Sequence, residues 1–153
     1  MCDEMLARLC RWLRAAGYDC ALLPGGSPDR NIMALARAEG RIVLTRDRQF
    51  SHFRDADKYV FMIDDQVVDD QARCLAEHLH IDWLYRPFTR CMMCNVELVQ
   101  GTAEQRAGLS IRLGNDEPLR CCPECQRLYW NGGHVHRMEK KLTEWKRKWG
   151  KVK

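Results

Sequence analysis

The chain has 153 residues, 46% hydrophobic and 30% charged, a globular balance that excludes a disordered or fibrous protein. No apolar run approaches the roughly 20 residues of a membrane span, and the opening MCDEMLARLCRWLR carries charge where an export signal needs an apolar centre, so a soluble, cytoplasmic protein without membrane association is expected. The net charge of +4 is uneven: Arg137 to Lys153 holds eight Lys or Arg against two Glu, a net of +6 that leaves −2 for the rest, and a near-neutral body with a basic tail points to RNA or DNA as partner.

In chain order, Met5 to Arg14 predicts a helix, with Leu6, Leu9, Cys10 and Leu13 on one face and Gly17 as its stop. Asp19 to Leu23 predicts a short strand, Pro24-Gly25-Gly26 a loop, and Ser27-Pro28-Asp29 the start of a second helix that uses Ile32, Leu35 and Ala36 and ends at Gly40. Ile42-Val43-Leu44 is a buried-strand run, a short helix is expected after Asp47, Tyr59 to Ile63 forms the next strand, and Asp69 to His80 the next helix. Short apolar strands alternating with helices imply a parallel sheet covered on both faces. Trp83 to Phe88 reads as a link. Met138 to Trp149 predicts a last helix with Leu142, Trp145 and Trp149 in line.

Between residues 89 and 136 the chain has five cysteines and no long amphipathic period, so a metal must substitute for a core. Cys91-x-x-Cys94 and Cys122-x-x-Cys125 have the spacing of a closed, structural four-thiolate zinc site. Cys121 is a spare that could replace Cys122, and His134 and His136 could offer a nitrogen ligand, although with four cysteines available they are expected to face backbone groups or RNA. Cys2, Cys10, Cys20 and Cys74 sit among apolar residues as buried thiols do, and the nine cysteines together suit a reducing compartment. Tyr129, Trp130 and His134 beside Arg127 and Arg137 suggest a base-stacking, phosphate-holding surface. The alternative is that the two aromatic rings pack on the zinc core.

The acidic residues cluster by position. Asp47 follows the strand RIVLT, Asp64 and Asp65 follow YVFMI, Asp3 precedes the first helix and Asp29 opens the second. In parallel sheets ligands bind beyond the carboxyl ends of the strands, and carboxylates gathered there repel unless a cation neutralises them. Mg²⁺ or Mn²⁺ suits oxygen donors and in-line phosphodiester displacement. Taken singly, Asp29 and Asp47 also read as helix N-caps or first-turn acids.

DEMLARLCRWLRAAGYDC, RIVLTRDRQF, RCMMCNVEL and CCPECQRLYWNGGHVHRM, in that order from Asp3 to about Leu142, resemble the PIN-like RNase family named for the C-terminal domain of the nematode Mut-seven protein. The resemblance implies an α/β PIN-like domain over residues 1–86, a zinc ribbon over 87–137 and a basic helix over 138–153. It also implies metal-dependent cleavage of RNA. Asp3, Asp29 and Asp47 match the family's acidic positions, and Asp65, with Asp64 as rival, is taken as the fourth. Thr45 and Arg46 would orient Asp47 or meet a phosphate, and Arg8 and Arg11 would contact the substrate backbone. Cys91, Cys94, Cys122 and Cys125 would bind structural Zn²⁺.

PIN-like domains begin with a strand that ends at the first Asp, whereas here only Met1 and Cys2 precede Asp3. Two residues are too few for a central strand, so the first strand is expected to be truncated, through an upstream start or a genuine loss, and Asp3 to be poorly held with the Met1 ammonium competing for its charge. The rival to a nuclease is a non-catalytic RNA- or ribosome-binding module with a vestigial nuclease half. A protein-interaction adaptor is a third reading, and a DNA substrate stays open.

Overall fold

The computed structural model describes residues 1–23, 25–114 and 116–150. After a single 3-10 turn, Glu4–Leu6, come α1 (Ala7–Ala15), α2 (Asp29–Glu39), β1 (Val43–Thr45), a second 3-10 turn (Arg48–His52), α3 (Ala56–Tyr59), β2 (Val60–Met62) and α4 (Val68–His78). β3 (Val99–Gln100), α5 (Ala103–Ala107), β4 (Arg120–Cys121), β5 (Leu128–Tyr129) and α6 (Gly133–Trp149) complete it. The fold is mixed α/β with a small parallel sheet and helices.

Short as it is, the segment that precedes Asp3 takes a place in the sheet. Cys2 forms parallel bridges to Leu22 on one side and to Leu44 on the other, so the first three residues occupy the middle of the sheet. Cys2 N–H donates to Ala21 O (2.8 Å) and Cys2 O accepts from Leu23 N–H (3.1 Å); Met1 O accepts from Leu44 N–H (2.7 Å) and Asp3 N–H donates to Leu44 O (3.1 Å). The Met1 ammonium donates to Ile42 O at 2.6 Å and is thus engaged away from Asp3. The residues alternate in direction: Cys2 bonds to the Leu22 segment, whereas Met1 and Asp3 bond to β1. β2 pairs in parallel with β1, Leu44 opposite Phe61, giving the spatial order Leu22 segment, Cys2 segment, β1, β2. The stretch expected as a strand from Asp19 to Leu23 pairs only at Leu22, since its neighbour is itself so short.

Side chains alternate across this sheet as the pleat demands. Met1 and Val43 point to one face, where α2 (Ile32, Met33, Ala36) and Phe50 cover them. Cys2 and Leu44 point to the other, into a core built from α1, α4 and α6. Trp145 on α6 is fully buried there, edge-on to Trp12 at 4.9 Å and to Trp83 at 4.8 Å. The basic helix is therefore fastened to the α/β core through its apolar side.

The Trp83–Phe88 stretch is anchored rather than loose. Trp83 is fully buried, its indole N–H donating to Ala72 O (3.3 Å), and Arg86 and Phe88 N–H donate to Ala16 and Ala15 O. Gly17, at φ +97, lies so close to Arg86 O that no side chain fits. The ribbon segment follows as an antiparallel three-stranded sheet in the order β3-β4-β5. Among the described residues, no helix is long and apolar enough to cross a membrane.

Candidate functional site

The sheet order places a topological switch between the Cys2 segment and β1, because the chain proceeds from the first to one side and later returns on the other. The crevice beyond the carboxyl ends at such a point is where ligands bind in open α/β sheets. Asp3 and Thr45 end the two flanking segments. Asp3 is buried, its Oδ1 accepting from Leu6 N–H (3.2 Å) as the cap of the first turn. Its Oδ2 accepts from the Thr45 hydroxyl and from Arg46 N–H (3.3 Å). Asp3 is thus firmly held, contrary to the expectation for a truncated strand. Thr45 Oγ1 in turn accepts from Asp47 N–H (2.9 Å), so one buried hydroxyl fixes both acidic positions.

Asp3, Asp29 and Asp47, brought from three separate elements, line one small hollow of about 90 Å³ together with Glu4, Ser27 and Gly25. Asp47 does cap the following 3-10 turn, accepting from Gln49 N–H (2.9 Å). Asp29 is not the cap of α2, a place taken by Pro28, but stands in its first turn. Asp65 does not line this hollow; its backbone carbonyl accepts from Gln71 Nε2 (3.0 Å). Asp64 is exposed and faces Arg48 at 3.7 Å. Glu4 is the carboxylate that sequence reasoning missed. It lies against Gly25, where a side chain would collide with it, and its position after Asp3 in the first turn was the available signal. Of the basic candidates, Arg8 and Arg11 are exposed on α1, and Arg46 has a buried Nε with no partner among the described residues.

The second site is a four-cysteine cluster. The sulfurs of Cys91, Cys94, Cys122 and Cys125 all lie within 4.8 Å of one another. Cys94 N–H points at Cys91 Sγ (3.3 Å) and Cys125 N–H at Cys122 Sγ (3.5 Å), one turn in each C-x-x-C knuckle. Burial would raise the Cys91 thiol, but the Tyr129 hydroxyl at 3.2 Å and the N–H groups of Cys94 and Met93 outweigh it and bring it down to about 6. The donor set fits Zn²⁺: four soft sulfurs brought together by two tight turns, with amide donors to stabilise thiolate charge. Cys121 is excluded from it, its sulfur facing Gln105 Nε2 at 3.2 Å and Cys122 O at 3.4 Å. His134 and His136 are not among its members. Cys2, Cys10 and Cys20 form a separate, wholly buried trio, while Cys74 is half-buried.

Arg14 joins the two halves. It is buried and donates from Nε to Cys20 O (2.7 Å) and from Nη1 to Met92 O (3.0 Å) and Met93 O (2.7 Å), the two residues inside the first knuckle. Asn95, at φ +72 just after that knuckle, accepts from Cys20 N–H (2.9 Å) and donates to Asp19 Oδ1 (2.7 Å).

The fold and site thus define a mixed α/β protein with carboxylates at the switch point of a small parallel sheet and a four-cysteine cluster that could hold zinc. The Mut7-C RNAse domain family model matches residues 1–142, and the chain belongs to that family. A curated human relative named as an exonuclease mut-7 homolog is 32% identical over 101 residues, covering 63% of this chain. The alignment takes in 12% of that relative's length. No solved structure matches the chain significantly.

Proposed function

We propose that the protein is a divalent-metal-dependent ribonuclease with a PIN-like catalytic core. The observation that carries the reading is the convergence of Asp3, Asp29 and Asp47 on one hollow at the switch point of the sheet, in a chain of the Mut7-C RNAse domain family. Hard oxygen donors of this kind suit Mg²⁺ or Mn²⁺, which when bound supplies charge neutralisation and activation of water for displacement at phosphorus. Asp3, Asp29 and Asp47 would hold the ion, with Glu4 the nearest further carboxylate and Asp65 able to join only from outside the hollow. Thr45 fixes Asp3 and Asp47 and touches no substrate. Arg46, Arg8 and Arg11 offer positive charge to the RNA backbone. Water adds across the phosphodiester, leaving a phosphate on one product and a hydroxyl on the other. Zn²⁺ on Cys91, Cys94, Cys122 and Cys125 is structural.

A second reading, an RNA- or ribosome-binding module without catalysis, is favoured by two facts. Asp3 is already occupied by three donors, and among the described residues no three carboxylates bring their oxygens within 4.8 Å of one another. The test is cleavage of labelled single-stranded RNA with Mn²⁺ by the wild type, Asp3→Asn and Asp47→Asn. Loss of cleavage with retained RNA binding in both variants supports the nuclease. A wild type that binds RNA without cutting it, under every divalent ion tried, sinks the proposal in favour of the binding module.

A further inference from the structure

Of the five tryptophans, Trp83 and Trp145 are core residues and Trp12 and Trp149 pack on that core, whereas Trp130 belongs to no hydrophobic cluster. It is half-buried and lines a groove of about 410 Å³ between α1 and the ribbon. Tyr129 beside it also lines the groove, but its hydroxyl is engaged by the four-cysteine cluster, on Cys91 Sγ and Met92 N–H, whereas the Trp130 ring has no such tie. Met92 and Met93 supply the groove's other apolar wall, and Arg11 and Arg127 stand at its edge.

The charges around the groove are uncommitted. Arg11, Arg127 and, next to Gly133, Arg137 make no salt bridge among the described residues and are free to meet an anion. An apolar slot with an aromatic ring, rimmed by unpaired guanidinium groups, has the chemistry of a base flanked by its phosphates. Its position suits a strand that also reaches the acidic hollow: Arg11 lies on the helix that begins next to Asp3, roughly 12 Å along it at the usual helical rise. Arg14 fixes the wall, since it holds the carbonyls of Met92 and Met93 to α1.

The geometry points to a nucleobase subsite in this groove, in which an unpaired base of single-stranded RNA stacks on Trp130 while Arg11 and Arg127 hold the adjoining phosphates. The subsite rests on RNA being the ligand of the proposed function, but not on cleavage. A base must be unstacked to enter, so the subsite selects single strands over duplexes.

The experiment is fluorescence anisotropy of a short labelled oligouridylate, without Mg²⁺ or Mn²⁺, on the wild type, Trp130→Ala, Trp130→Phe and the Arg11→Ala/Arg127→Ala double variant, with zinc content measured on each. The expected result is a loss of affinity of about tenfold or more in Trp130→Ala, the scale of one lost stacked base. Trp130→Phe should recover most of it, zinc should stay at the wild-type level in all four, and a duplex of matched length should bind more weakly than the single strand. The double variant should weaken binding and flatten its dependence on salt. Wild-type affinity in Trp130→Ala, or equal affinity for duplex and single strand, overturns the subsite even if the arginines matter. Wild-type cleavage alongside unchanged Trp130→Ala binding would defeat the subsite alone, and Trp130-dependent binding without cleavage would defeat the nuclease reading alone.

Discussion

The hydroxyl of Thr45 donates to the carboxylate of Asp3, 42 residues away in sequence, and accepts the backbone N–H of Asp47 two residues on. Thr45 is fully buried, so water cannot replace it. Replacing it by Val keeps the β-branched shape and removes both bonds, leaving Asp3 short of a donor and Asp47 N–H without its acceptor. We expect Thr45→Val to lose about 2 kcal/mol of stability by urea denaturation and to lose RNA cleavage more than RNA binding. Thr45→Ser, which keeps the hydroxyl, should retain most of both. A Thr45→Val protein with wild-type stability would show that this hydroxyl does not organise the site.

Arg14 gives a second prediction. Its guanidinium is buried with three carbonyl partners, one in the α/β core and two in the first knuckle. Arg14→Met fills part of the volume but abandons all three acceptors, and should cost about 3 kcal/mol. It should also speed zinc release to a chelator, because the Met92 and Met93 carbonyls would no longer be tied to α1. Unchanged zinc release would mean that the knuckle holds its shape independently of the core.

What the sequence disclosed follows from the range of the forces involved. The four-cysteine cluster that could hold zinc was legible because two C-x-x-C turns are local and their chemistry is narrow. Helices α1, α2 and α4 were legible because their buried residues repeat at helical spacing, and Asp47 because it directly follows a strand. The central place of Met1 to Asp3 was not legible, since it depends on backbone bonds to Ala21, Leu23, Ile42 and Leu44 that no local pattern announces. For the same reason the lining of the hollow was only partly legible: Asp65 follows a strand but does not line it, whereas Glu4, beside Asp3 and against Gly25, does. The resemblance to the RNase family anticipated the family to which the chain belongs. Composition alone left Trp130 and Tyr129 indistinguishable, and only the contacts separate them.

Asp19 supplies a pH dependence. The Arg41 guanidinium, at 2.9 Å, outweighs the effect of burial and, helped by the Asn95 amide, holds its carboxyl at about 2 instead of the usual 3.8. A lowered folded-state value means that the stabilisation is complete above about pH 4 and disappears as pH falls through 2. The side chain is 43% exposed, so solvent screens the pair and its worth stays below about 1 kcal/mol. Asp19→Asn should therefore be slightly less stable than the wild type at pH 7, with the gap between their urea midpoints narrowing below pH 4. A gap that widened toward acid would contradict the assignment of this pair.

The zinc centre makes the last prediction, and it separates adjacent cysteines. Cys122 is buried within the cluster of four sulfurs, whereas Cys121, in β4 between Val99 and Leu128, has its sulfur on Gln105 Nε2. The small apolar cluster around them, Cys91, Leu98 and Cys122, is too little to fold a module without metal. Cys122→Ser should abolish stoichiometric zinc and unfold the ribbon, seen as loss of amide protection from β3 to β5. Cys121→Ser should keep one zinc per cluster and lose only about 1 kcal/mol for the Gln105 contact. If Cys121→Ser also emptied the site, the neighbouring sulfur would have to be exchanging into it, and the ligand set would need to be redrawn with Cys121 in place of Cys122.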